Sequence, residues 1–244
     1  MIPTTIAHAL APTGRLRATI NIGNPVLAGM APGASEPHGV SVDIARELAH
    51  RLGVPVAFVI CATAAKAVEA VKAGACDVTF LAVDPARAVD IDYAAPYVVI
   101  EGAYMVKNDS ALTDNAQVDR AGIRVAVGKG SAYDLYLTRE IKNATLVRFG
   151  SSQEVVDGFL AQSLEVAAGV KQQLEADARR VQGLRLLPGR FMEIHQAIGA
   201  TRGRGDAAAS YLFAFIEELK ATGFVAASLE RHAIEGAAVA PAGR

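Results

Sequence analysis

The feature that most constrains the fold is an alternation of short apolar runs and amphipathic helical patterns in the first hundred residues. The apolar runs predict strands at 17–22, 54–60 and 77–83, and a 3.6-residue period predicts helices at 41–52 and 64–73. The run at 54–60 is continuously apolar, as in a buried parallel strand. Strands that alternate with helices predict a parallel sheet covered by helices, with any ligand beyond the carboxyl ends of the strands.

The alternation then restarts in the middle of the chain. Strands are predicted at 123–127, 145–148 and 163–168, and helices at 132–141, 152–160 and 171–181. Between the two series, 93–106 is extended and broken by Pro96 and Gly102. A strand at 197–201 and helices at 206–222 and 225–232 follow.

This pattern predicts an α/β protein with two doubly wound lobes joined by a two-strand hinge. Lobe 1 is discontinuous, comprising 14–105 and 196–235, and lobe 2 comprises 106–195, while 1–13 and 236–244 are flexible ends. In such an arrangement a small solute binds between the lobes as they close.

Charge and composition exclude several classes of function. The formal net charge is −1, so no basic excess exists to neutralise a nucleic acid backbone. No apolar run approaches the roughly 20 residues that span a bilayer, so we expect no membrane insertion. The histidines lack metal-ligand spacing and no nucleotide-binding glycine motif is present, so we expect neither a metal nor a cofactor.

Several segments in order resemble the family 3, or amino-acid-type, solute-binding proteins of ABC transporters. They are Gly39–Ala45 ("G-f-d-v-D-l-A"), Val71–Val78 ("L-k-s-G-k-i-D-v"), Asp84–Ala88 ("T-p-e-R-a"), Ile91–Tyr97 ("v-d-F-s-x-P-Y") and Val125–Ser131 ("v-g-v-q-x-G-[ST]"). The resemblance covers about 16–232 and implies the type II periplasmic-binding-protein fold. It also implies a monomer that delivers a solute to the membrane subunits of an ABC transporter.

The compartment has two interpretations. The resemblance implies the periplasm, but residues 1–12 carry neither a cationic start nor an apolar stretch, so we do not expect them to be a signal peptide. Either a leader has been removed, or the protein is cytoplasmic.

Arg87 is the first candidate binding residue, because it follows the third predicted strand. A guanidinium can hold a carboxylate by two parallel hydrogen bonds, and the resemblance implies that this arginine binds the carboxylate of the solute. The alternative is a surface arginine paired with Asp84 or Asp90.

The glycine-containing segment before the helix at 132–141 is the second candidate. Lys129, Gly130 and Ser131 precede a helix N-terminus, where backbone N–H groups and the helix dipole favour an anion. Ser131 is also a typical N-cap, and Lys129 is alternatively a solvated side chain.

Asn24, Phe80 and Ala82 complete the predicted contacts of lobe 1. Asn24 ends the first strand, although asparagine before proline is also a common turn residue. Phe80 and Ala82 lie where members of the family carry small or hydroxyl side chains, which indicates a less polar pocket.

Lys171 departs from the family pattern and bears on the solute. Amino-acid binders carry an acidic residue after the strand that ends near 168, to hold the α-ammonium, but here the sequence is Gly169-Val170-Lys171. Lysine cannot accept a hydrogen bond from an ammonium group. A solute with a second anionic group, or a neutral acid, therefore fits better than an α-amino acid, unless Lys171 simply begins a helix on a solvated face.

Three functions are compatible with these residues. The first is a solute receptor. The second is an enzyme similar to cyclohexadienyl dehydratase, with Glu193 or Lys171 as acid or base. The third is a ligand-sensing module. The sequence favours the receptor and demands no catalysis, and of the residues at the return crossing, Glu193 and His195 are expected to face solvent.

Overall fold

The computed structural model describes residues 3–243 of the chain. Its helices, in chain order, are α1 (Thr4–Leu10), α2 (Val40–Leu52), α3 (Ala64–Lys72), α4 (Ala132–Glu140), α5 (Val155–Ala161), α6 (Lys171–Arg180), α7 (Asp206–Ala221) and α8 (Phe224–Arg231). Its strands are β1 (Leu16–Asn21), β2 (Val56–Cys61), β3 (Val78–Ala82), β4 (Ile91–Lys107), β5 (Arg124–Gly128), β6 (Thr145–Phe149), β7 (Val166–Val170), β8 (Leu184–Leu186), β9 (Met192–Thr201) and β10 (Ala238–Val239).

The chain divides into two compact units. Unit 1 contains residues up to Val99 and from His195 onward, and unit 2 contains Ile100–Ile194. Strands β4 and β9 each run from one unit into the other. Each unit consists of a β-sheet covered by helices and has its own hydrophobic core.

Unit 1 has the strand order β2-β1-β3-β9-β4, with β10 also on β4. Strands β1, β2 and β3 are parallel, whereas β9 runs antiparallel to β3. Leu81 packs in one cluster with Ala67 and Val71 of α3. Because neighbouring strand residues face opposite sides, Phe80 points away from α3 and contacts Tyr97, whose hydroxyl reaches Ser41 of α2. Helices therefore cover both faces of this sheet.

Unit 2 has the strand order β4-β7-β5-β6, with β8 also on β4. Strands β5, β6 and β7 are parallel, and β4 runs antiparallel to β7. Its core includes Met105, Ala126, Phe159, Ala167 and Leu174 from β4, β5, α5, β7 and α6. The strand–helix–strand–helix–strand series predicted from the sequence is confirmed in both units.

Three details differ from the expectations. Strand β2 is at the edge of the sheet, and only Cys61 is buried in it, so the prediction of a buried strand is wrong. Pro96 and Gly102 do not break β4. Strand β8 was not predicted, since its three residues carry too little pattern to identify it.

The chain ends are more ordered than expected. Residues 4–10 form α1, whose Leu10 is fully buried, and β10 pairs with Val98 and Val99. The expectation of flexible ends at 1–13 and 236–244 therefore does not hold for these elements, because each end has a packing partner. Met1, Ile2 and Arg244 lie outside the described residues.

Candidate functional site

The turn after β3 folds Arg87 back onto the end of its own strand. Asp84 Oδ1 accepts a hydrogen bond from the Ala86 N–H (2.9 Å), and the Asp84 carbonyl accepts one from the Arg87 N–H (3.0 Å). Arg87 Nη1 then donates to the carbonyl of Ala82, the last residue of β3 (3.0 Å). Arg87 is only 3% exposed, so the alternative of a surface arginine is wrong.

Tyr93 shares this arrangement. Its hydroxyl donates to the same Ala82 carbonyl (3.1 Å) and is hydrogen-bonded to the Arg87 guanidinium. Burial lowers the pKa of Arg87, while Tyr93 and Asp84 act in the opposite direction. Burial raises the pKa of Tyr93 to about 12, so its hydroxyl keeps its proton at neutral pH.

Of the other predicted residues of unit 1, Ala82 ends β3 and Asn24 follows β1, whereas Phe80 lies in the middle of β3. Ala82 is buried and supplies the carbonyl that holds Arg87. Phe80 is buried and packs edge-to-face on Tyr97, with 6.1 Å between ring centroids. Asn24 caps the turn after β1, where its carbonyl accepts from the N–H groups of Leu27 and Ala28. Its Oδ1 is buried without a hydrogen-bond partner among the described residues.

In unit 2 the segment before α4 forms the predicted helix N-terminus. Ser131 is the N-cap, and its side chain accepts from the Asp134 N–H (3.0 Å), which confirms the N-cap interpretation. The Gly130 N–H, a predicted anion donor, donates to Asp134 Oδ2 at 2.8 Å. Asp134 is buried and also accepts from Arg148 (2.9 Å), so this carboxylate already occupies part of the predicted anion position. The Lys129 side chain is exposed, as the solvated alternative predicts.

Lys171 begins α6 and belongs to a group of four alternating charges, all in unit 2. Its Nζ contacts Glu101 Oε2 (2.8 Å), Glu101 Oε1 accepts from Arg190 Nη1 (2.9 Å), and Arg190 Nη2 contacts Glu193 Oε1 (2.7 Å). Lys171, first among the causes, and then Arg190 hold the pKa of Glu101 below its usual value. The charge of Lys171 is therefore shared with an acid already present in the fold.

The residues at the return crossing fit the solvent-facing alternative. Glu193 and His195 are exposed, and Gln196 is buried. Glu193 and Lys171, the acid–base candidates for an enzyme, are both engaged in the ion-paired group described above.

Sequence reasoning missed Tyr93, Glu101 and Asp134. Glu101 lies 70 positions from Lys171, so only the fold brings these two side chains together. Asp134 lies in the first turn of α4, four positions after Gly130, so its contact with Gly130 is local and an acid at this position of the predicted helix was a usable signal. Tyr93 carried a signal, because the matching family segment has phenylalanine at this position and this chain has the same ring with an added hydroxyl.

Two cavities lie within single units. One of about 580 Å³ in unit 1 is lined by residues that include Val83, Tyr93 and Arg202, and one of about 360 Å³ in unit 2 is lined by residues that include Lys107, Leu112 and Glu165. Within the described chain, neither cavity is lined by a predicted binding residue.

Residues 3–243 contain neither a metal-ligand cluster nor a membrane-spanning helix. No cluster of three or more histidine, cysteine, aspartate or glutamate side chains there is arranged to hold a metal ion. No helix in the same stretch has both the length and the apolar character needed to cross a bilayer.

The two doubly wound units have the type II periplasmic-binding-protein fold. The profile of the bacterial extracellular solute-binding proteins, family 3, matches residues 23–233. The chain therefore belongs to the bacterial extracellular solute-binding proteins of family 3, as the motifs predicted.

Solved structures show the same fold at low identity. The L-cysteine solute receptor of Neisseria gonorrhoeae has a TM-score of 0.79 and 24% identity over 94% of each chain. An amino acid ABC transporter substrate-binding protein of Streptococcus pneumoniae, bound to L-arginine, has a TM-score of 0.77 and 18% identity over 93% of this chain and 97% of that one. An ancestral amino-acid-binding protein, described as a precursor of cyclohexadienyl dehydratase, gives 0.76 and 17% over 92% and 97%. A search of curated proteins gives no match.

Proposed function

We propose that this solute-binding protein binds a small organic acid, holds the carboxylate of that acid with Arg87 and delivers it to an ABC transporter. The observation that supports this most is the burial of Arg87 at the carboxyl end of β3. A desolvated guanidinium is costly unless an anion or several acceptors compensate it, and a carboxylate matches its planar donors.

The descriptions of the structural relatives support two parts of this proposal, the ABC transporter as partner and the carboxylate on the solute. The Streptococcus protein is described as part of an ABC transporter, and the solutes named for the structural relatives include L-arginine, lysine and L-cysteine. Each of these solutes carries a carboxylate. What distinguishes this chain is the segment Gly169-Val170-Lys171, which contains no acid where the resemblance implies one for the α-ammonium. We therefore propose an organic acid without an α-ammonium group.

The test is a thermal-shift screen followed by calorimetric titration. The panel contains acetate, benzoate, succinate, glutarate, L-arginine, L-lysine and L-cysteine. Stabilisation by mass action identifies a binder. We expect succinate, glutarate or benzoate to raise the midpoint more than the amino acids do, and the acid with the largest shift is called the panel acid below.

Arg87→Ala is expected to raise the Kd of the panel acid by about 30- to 3000-fold, because a buried charged pair loses one partner. The matched control is Arg202→Ala, an exposed arginine of unit 1 that pairs with Asp92 and lines the 580 Å³ cavity. It should bind as the wild type does.

Three outcomes contradict the proposal. If Arg202→Ala loses binding while Arg87→Ala keeps it, the acid binds in the unit 1 cavity. If an amino acid gives the largest shift, the solute class is wrong. If mass spectrometry shows that the panel acid is consumed during incubation, the protein is an enzyme and not a receptor.

A further inference from the structure

The Arg87 guanidinium is held in place before any solute arrives. Its Nη1 is bonded to the Ala82 carbonyl at 3.0 Å, and that carbonyl also accepts the Tyr93 hydroxyl at 3.1 Å. The third side of this triangle is the hydrogen bond between Tyr93 and Arg87. The Arg87 guanidinium and the Tyr93 hydroxyl therefore donate to the same carbonyl and bond to each other, which restricts the rotation of the guanidinium.

From this triangle we infer that Tyr93 is a positioning residue, which orients Arg87 for the carboxylate of the solute. The inference rests on the proposed function, because it assumes that Arg87 binds the solute. It assigns to Tyr93 a role separate from contact with the solute: its hydroxyl restricts the rotation of Arg87.

The geometry of β4 and of the turn after β3 explains how the Tyr93 hydroxyl reaches Arg87 and restricts its rotation. Tyr93 is the third residue of β4, and its side chain spans back to Ala82 across 11 positions of sequence. The segment between them is compact, because the Ile91 N–H donates to the Arg87 carbonyl (3.2 Å) and the Asp90 N–H does so as well (3.0 Å). The hydroxyl therefore meets the guanidinium from a rigid strand and not from a mobile loop.

Pre-orientation of Arg87 has a measurable consequence. A long side chain that must be immobilised on binding weakens the complex, typically by a few-fold to about tenfold in Kd. In Tyr93→Phe the ring stays and only the hydroxyl is lost. We expect this variant to bind the panel acid about 3- to 10-fold more weakly than the wild type.

The matched control is Tyr97→Phe. Tyr97 is another tyrosine of β4 in unit 1 and is fully buried, whereas Tyr93 is half-buried, and the Tyr97 hydroxyl bonds to Ser41 Oγ (2.9 Å) and not to Arg87. Tyr97→Phe therefore removes a buried hydroxyl from the same strand. It should lower the thermal midpoint without changing the Kd of the panel acid.

A double-mutant cycle separates positioning from a general structural effect. Arg87→Lys keeps a positive charge but lacks the planar fork. If Tyr93 acts through the guanidinium, Tyr93→Phe should change the Kd by less than about 2-fold in the Arg87→Lys background, since the two effects are then not additive.

A readout without solute completes the test. In ¹⁵N spectra of the solute-free protein, slow rotation about the Nε–Cζ bond of Arg87 should give separate Nη1 and Nη2 signals. These signals should merge in Tyr93→Phe and remain separate in Tyr97→Phe.

The results distinguish the two proposals. If Arg87→Ala loses binding but Tyr93→Phe matches the wild type in Kd and in spectrum, the positioning role is wrong and the proposed function stands. The role is also wrong if Tyr93→Phe weakens binding equally in the wild-type and Arg87→Lys backgrounds. If Arg87→Ala binds as the wild type does, or if no panel member binds, both proposals fail together.

Discussion

Asp77 illustrates how a single buried charge organises unit 1. Its carboxylate is fully buried before β3, and it accepts from the backbone N–H, Nε and Nη2 of Arg17 at 3.0, 3.0 and 2.8 Å. Arg204, which follows β9, adds a contact at 2.9 Å. One side chain therefore connects the beginnings of β1 and β3 to the end of β9.

We expect Asp77→Asn to lower the free energy of unfolding by about 3 kcal/mol, because the substitution removes the shared counter-charge of two arginines. The value is at the lower end of the usual range, since the side chains of Arg17 and Arg204 are 25% and 20% exposed. Urea unfolding of variant and wild type measures the difference.

An equivalent but more exposed ion pair in unit 2 provides the comparison for the Asp77→Asn prediction. Arg124, at the start of β5, donates its backbone N–H, Nε and Nη2 to Glu165, which precedes β7. Glu165 is 32% exposed, so Glu165→Gln should cost only about 1 kcal/mol. Equal losses in the two variants would show that burial does not decide the contribution of these ion pairs.

Among the elements, α5 contains a glycine in its interior, although glycine is one of the least favourable residues inside a helix. Gly158 lies in the middle of this helix, where alanine normally stabilises by up to about 1 kcal/mol. Here, however, a Cβ would collide with the ring of Phe149 at the end of β6. The close packing of α5 on β6 therefore requires glycine.

Gly158→Ala should consequently destabilise the protein by about 1–3 kcal/mol, because the cost of overpacking exceeds the gain in propensity. Thermal unfolding measures the change. Adding Phe149→Leu should recover part of the loss by making room for the methyl group, and a stabilised Gly158→Ala variant would show that the ring moves freely.

The elements also show what sequence can predict. The end of α2 was placed correctly because Gly53 adopts a left-handed conformation (φ 69°) that stops the helix locally. The edge position of β2 was missed because an apolar run does not reveal the order of strands in a sheet. Likewise, the position of Arg87 after β3 followed from the pattern, but its burial and its contact with Tyr93 depend on packing that no local motif encodes.

At the scale of the whole molecule, paired carboxylates make stability depend on pH. Arg124 holds the pKa of Glu165 below its usual 4.5, and Lys171 does the same for Glu101. A carboxylate whose pKa is lower in the folded state stabilises the protein above the unfolded pKa, and that contribution is lost as pH falls through the folded value. Stability should therefore be constant near neutrality and decline below about pH 4.5.

Glu165→Gln tests this dependence, since glutamine cannot titrate. Its thermal midpoint should be lower than that of the wild type at pH 7, and the two curves should converge as the pH falls below about 4.5. Parallel curves over this interval would assign the acid sensitivity to other groups.

The division of the chain between the units has a consequence for the order of events on the ribosome. Unit 2 is one uninterrupted stretch, Ile100–Ile194, whereas the sheet of unit 1 needs β9 between β3 and β4. During synthesis from the N-terminus, the residues that carry Arg87 emerge first, yet β3 must wait for its antiparallel neighbour until nearly 200 residues have been made. The part of the protein that is translated first is thus the part that is completed last.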